Sequence, residues 1–169
     1  MHLIQENKKI LAEVKRLILS LSEEQFVSPN KLFSGSSLGQ HFRHLIEFYL
    51  AVQVGYKEGV ICYDNRKRDL NIETKQDYAI TVIAQIEHFL NAIKEDKSIV
   101  FEANYSVDDC KNSDQIKSSL YRELAYVLEH SIHHLAIVKI GFISLGLQVN
   151  ENLGVAPSTV RNNKKVCVQ

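Results

Sequence analysis

This chain has few cysteines, no excess of charge of either sign and no long apolar run, and each shortage closes off a class of function. Its three cysteines, Cys62, Cys110 and Cys167, are far apart, odd in number and form no CxxC pair. That argues against a thiolate zinc site or a disulfide framework and for a reducing compartment, with the thiols incidental. Lys+Arg and Asp+Glu stand at 20 each, a formal net charge of zero, so the electrostatic footprint of a nucleic-acid binder is missing. Met1 to Arg16 has charges threaded through it and reads as a helix, not as a signal peptide or a membrane span. The expectation is a cytoplasmic protein with neither nucleic acid nor membrane as partner.

What is present is the composition of one globular domain: 169 residues, 45% hydrophobic and 24% charged, enough for a single core over 1–169. Four segments carry apolar residues at three-to-four spacing. The first runs from about Leu3 to Leu21, the second from about Ser37 to Tyr56, the third from about Thr74 to Lys94 and the fourth from about Ser119 to Leu145. Ser22 and Gln25 fit a capping box before Pro29, Ser34 and Gly35 break the chain. Ser98 to Ser106 alternates, with Ile99, Phe101, Ala103 and Tyr105 on one side, and predicts a short strand or hairpin with the stretch near Gln115 to Ser118. The stretch from about 150 to 169 is polar and predicts an extended tail on the surface. The fold expected is all-α: a four-helix bundle with a short β-hairpin or extended segment between helices three and four.

Five of the seven histidines sit in two tight groups. The fourth helix carries Glu129-His130-Ser131-Ile132-His133-His134-Leu135. His130 and His134 are one turn apart, about 6 Å along the axis and about 40° around it, so two imidazoles can converge on one ion. His133 points further outward. Spacing alone leaves a metal pair and two satisfied core histidines level; a further ligand from another helix decides between them. The second helix offers Gln40-His41-Phe42-Arg43-His44-Leu45, where the helical wheel leans slightly to His41 and does not choose between it and His44. Two metal signatures are missing: no glutamate follows His130 directly within the motif, so it is not HExxH, and no Glu-x-x-His pair occurs anywhere. A mononuclear site of three histidines remains, with positions left for water or substrate.

At Ser36-Ser37-Leu38-Gly39-Gln40-His41-Phe42-Arg43-His44-Leu45, and at Arg122-Glu123-Leu124 through His130-Ser131-Ile132-His133-His134-Leu135-Ala136, the chain resembles the DinB/YfiT-like superfamily of metalloenzymes. In that family the second-helix ligand is the histidine directly before a Leu or Ile, which the resemblance carries to His44. The first and fifth positions of the histidine run map to His130 and His134. The resemblance implies a four-helix bundle with one divalent ion, zinc or nickel, a homodimer, and in some members transfer of a low-molecular-weight thiol.

Three further residues draw attention. Arg66 and Arg68, in the charged loop after helix two, are candidates to bind a substrate carboxylate near the mouth of the site. Glu123, two turns before His130, is a candidate acceptor for an imidazole N–H or a general base. The function expected is a metal-dependent enzyme acting on an unknown small molecule. Its ion would activate water, as in a hydrolase, or a thiol, as in an S-transferase. The alternative is a non-catalytic metal-binding or dimerisation module.

Overall fold

The computed structural model describes residues 1–107 and 113–166; Cys110 and Cys167 lie outside the described residues. Four long helices form the body: α1 (His2–Leu19), α3 (Leu38–Glu58), α5 (Gln76–Ala92) and α6 (Leu120–Ser144). Between them lie two single-turn helices, α2 (Glu23–Val27) and α4 (Leu70–Thr74), and α7 (Pro157–Val166) ends the described chain. α1 packs on α5 and α6, and α3 packs on α5 and α6. Their apolar stripes, among them Leu11, Val14 and Ile18 of α1, Phe42, Leu45 and Ile46 of α3, Ile83 and Ile86 of α5, and Leu124 and Val127 of α6, close one continuous core. Burial of those stripes stabilises the helices far more than their intrinsic propensity does.

The helix starts are written locally. At both α2 and α3 a serine, Ser22 or Ser37, accepts from the backbone N–H of a glutamine three residues on, and that glutamine's side chain accepts from the serine's own N–H. α6 begins the same way on one side only, with Ser119 accepting from the Arg122 N–H. These caps satisfy donors that would otherwise be orphaned at the helix ends.

The all-α expectation is corrected by a three-stranded mixed sheet. β2 (Ser98–Ala103) and β3 (Asp114–Ser119) are antiparallel, and β1 (Val60–Cys62) adds parallel to β2, in the order β1-β2-β3. The architecture is therefore mixed α/β and not a four-helix bundle. β1 escapes a periodicity search because three residues are too few to show alternation. What sets it up is Gly59, which ends α3 at φ 82°, a left-handed conformation glycine adopts without strain. The chain leaves the helix there and pairs Val60 with Val100.

The polar stretch after α6 is also not simply extended. Leu153 is buried and Gly154, at φ 72°, lies so close to α6 that a Cβ would stand 2.3 Å from the Ala136 backbone nitrogen. The segment folds back onto α6 before α7 begins. None of the helices among the described residues is long and apolar enough to cross a membrane.

Candidate metal centre

α3 and α6 are neighbours, and each turns a half-buried histidine face towards the other. His44 of α3 meets His130 and His134 of α6, with ligand atoms all within 4.8 Å of one another. The ring centroids stand 4.4 Å (His44–His134), 4.5 Å (His130–His134) and 5.2 Å (His44–His130) apart. His44 Nε2 and His130 Nε2 are 3.0 Å apart. Two nitrogens about 2.1 Å from one ion stand roughly 3.0–3.4 Å apart for angles from 90° to tetrahedral, so this pair is already at ligand spacing.

Burial pushes all three imidazoles towards the neutral form. His44 is lowered to about 4, first by burial and then by the charge of Arg66. His134 is lowered to about 3, by burial and then by the neighbouring His44 and His130. His130 is lowered as well, chiefly by burial. Neutral imidazoles keep a lone pair for an ion at neutral pH. The donor set fits a divalent transition metal on a second count too: among the described residues His134 Nδ1, like His41 Nε2 one turn before His44, is buried with no hydrogen-bond partner, the state of a ring that these protein contacts do not satisfy.

An aromatic wall holds the cluster. Phe48 stacks on His130 (4.1 Å, 18°), Tyr63 stacks on Phe48 (4.7 Å, 11°), and Tyr126 lies against His130. His41, the alternative to His44, is one turn earlier on α3. Its ring is 6.2 Å from that of His134 and packs edge-on against Phe33, and it does not join the converging group. His133 is exposed and touches His134 edge-on.

The other sequence candidates divide. Arg66 is at the site: its Nη2 lies 3.1 Å from His44 Nδ1, its Nη1 donates to the Tyr63 carbonyl at 2.8 Å, and its guanidinium lies over the Phe48 ring. That Nη2 contact runs against the fit, because a guanidinium donates where a ligating histidine ordinarily needs an acceptor. Arg68 is exposed. Glu123 is fully buried, but it accepts from Tyr63 Oη (2.8 Å), Ser118 Oγ and Arg122 Nη1 (3.0 Å). It therefore does not touch the histidines, and the Tyr63, Phe48 and Tyr126 rings stand between.

Sequence reading missed Glu47 and Arg43. Glu47, buried on α3, lies 3.6 Å from Arg43 Nε and 3.5 Å from Arg66 Nε and accepts the Asp69 N–H at 2.9 Å. Burial raises its proton affinity, and the Asp69 N–H and then the charges of Arg43, Arg66 and Arg68 pull it back. Arg43 also pairs with Glu73. The i, i+4 spacing of Arg43 and Glu47 was a readable signal. Beside this network runs a cleft of about 570 Å³, with Leu50, Ala51, Val54 and Val60 as its apolar wall and Glu47, Arg66 and Cys62 among its polar lining.

No protein-family model matches the chain. It is 36% identical over 109 residues to a protein named FK506-binding protein 5 from Rhizopus delemar, a match covering 63% of this chain. The chain spans 28% of the length of that relative. This finding overturns the resemblance to the DinB/YfiT-like superfamily. The functions expected with it go as well: the metal-dependent hydrolase or thiol S-transferase, and the non-catalytic module assembled or dimerised by an ion; the finding does not bear on the three-histidine ligand set itself.

Proposed function

We propose that this chain binds one divalent transition-metal ion through His44, His130 and His134. The observation that carries the reading is the convergence of three neutral, half-buried imidazoles from two helices, with ligand atoms within 4.8 Å of one another. Burying unpaired imidazoles is unfavourable unless something takes up their lone pairs, and an ion does so. When bound, an ion with three protein ligands offers its remaining positions to water or to an added ligand. No reaction is assigned to it. Elemental analysis of the purified protein, together with a cobalt(II) titration followed by absorption, tests the reading. One ion per chain is expected. A chain that takes up no cobalt, zinc or nickel at micromolar concentration defeats it.

A second reading draws on the relative. Its name describes binding of FK506, and this chain matches 28% of its length. The cleft along α3, about 570 Å³ with a largely apolar wall, lies within the roughly 300–1,000 Å³ range of small-molecule pockets. Calorimetric titration with FK506 checks this reading, and Val54→Arg, which fills the cleft, should abolish the heat of binding. Wild-type protein with no saturable binding at micromolar concentrations ends it.

A further inference from the structure

We propose that Arg66 is a lock on His44: it holds that imidazole in the tautomer that cannot take an ion, and it moves onto Glu47 when an ion enters. The inference rests on the metal-binding reading above and adds to it a residue that regulates access.

A guanidinium has five N–H donors and no acceptor. Arg66 Nη2, 3.1 Å from His44 Nδ1, therefore donates, and Nδ1 gives its lone pair to that bond. A neutral imidazole has one N–H, so the proton of His44 sits on Nε2, the nitrogen 3.0 Å from His130 Nε2. His44 thus spends its Nε2 as a donor to His130. Nε2 is also the nitrogen positioned to share an ion with His130, and in this tautomer it has no free lone pair. Ligating histidines elsewhere show the reverse arrangement, in which the outer nitrogen carries the proton and gives it to a carboxylate or carbonyl.

Entry of an ion therefore needs two changes. The Nε2 proton passes to solvent and Nδ1 takes one up, so the ring stays neutral. Arg66 must also leave Nδ1. The structure holds a place for it: Arg66 Nε and Glu47 Oε2 are both buried and, among the described residues, without a hydrogen-bond partner, although they stand only 3.5 Å apart. A small rotation closes that gap into a charge-assisted hydrogen bond, the stronger kind. The Tyr63 carbonyl, already bonded to Nη1 at 2.8 Å, is the pivot. One half-buried arginine thus faces two partners through different nitrogens, and the ion shifts it from the first towards the second.

Nitrogen-15 correlation spectra of the imidazoles in metal-free protein read the tautomer directly. The expected result is His44 protonated on Nε2 in the wild type. In Arg66→Met the His44 signals should move towards the Nδ1–H form, and cobalt should bind about tenfold more tightly, the size of one lost hydrogen bond to a charged group. Removing a positive charge also favours a cation, and at a half-buried site salt screens that effect only weakly, so the His44 tautomer itself separates the two explanations. A gain in affinity in Arg66→Met with no change in the His44 tautomer overturns the lock. So does a His44 protonated on Nδ1 in the wild type, a measurement that needs no variant to fold. Equal cobalt affinity in wild type and Arg66→Met overturns the lock alone. Absence of cobalt binding in both defeats the metal reading and the lock with it.

Discussion

Glu123 and His134 lie on one line of α6 and both turn polar atoms into the protein, yet their surroundings are opposite. Glu123 accepts from Tyr63, Ser118 and Arg122. His134 has a buried Nδ1 with no hydrogen-bond partner among the described residues, and the imidazoles of His44, His130 and His133 lie against its ring. A buried polar group whose bonds close within the chain holds the fold together, and removing it exposes its partners to desolvation. A buried polar group whose bonds do not close is unfavourable to the fold on its own and is retained for what it binds. The Arg43–Glu47–Glu73 network stands between the two: opposite charges meet there, but Arg43 Nε and Glu47 Oε2 are buried without a hydrogen-bond partner among the described residues.

The contrast can be broken from either end. The largest effect is expected on the histidine side: His44→Ala, His130→Ala and His134→Ala should each weaken cobalt binding by more than about 100-fold, beyond what loss of an outer-sphere partner does. His133→Ala, an exposed side chain, should stay within about twofold of the wild type by the same titration. Wild-type stoichiometry in His134→Ala would dissolve the distinction. On the other side, Glu123→Ala should lower the free energy of unfolding by about 2–3 kcal/mol, because the Tyr63 hydroxyl loses its acceptor in a buried setting. Urea unfolding measures that loss, and cobalt stoichiometry should not change. A Glu123→Ala protein of unchanged stability that takes up no ion would mean the roles are exchanged.

Much of this was readable in the residues. The 3.6-residue period placed all four long helices, and the i, i+4 pair His130 and His134 was visible because helical geometry alone makes such residues neighbours. The choice between His41 and His44 was not visible, since it depends on how α3 is rotated against α6, and no periodicity within α3 encodes that. β1 was hidden because three residues show no alternation, and its pairing with β2 spans α4 and α5. α7 was hidden because its polar sequence has no apolar stripe to reveal a helix. The likeness to a metalloenzyme bundle misled the fold class, since short histidine motifs are shared more widely than the architecture around them. Arg66 was noticed as a cation near the mouth of the site, but its contact with the far nitrogen of His44 depends on a loop conformation that spacing cannot supply.

The smallest effect expected is also the most direct test of how the two ends of α6 differ. His44 and His134 have proton affinities lowered in the fold to about 4 and about 3, against about 6.5 for an unfolded histidine. Between those limits the unfolded chain binds more protons than the folded one, so the stability of the metal-free protein rises with pH across the window. Read in the other direction, stability is lost as pH falls below about 6.5, and the loss continues until the folded-state values are reached. Denaturant midpoints measured from neutral pH down through this window should therefore slope, and His134→Ala should make the slope shallower by removing one of the two groups. A divalent ion should steepen it, because protons then compete with the ion for the same lone pairs. A slope identical in His134→Ala and wild type would mean that the ring of His134 is solvated in the folded state. Its unpartnered nitrogen would then carry no penalty, and nothing would distinguish it from Glu123 except charge.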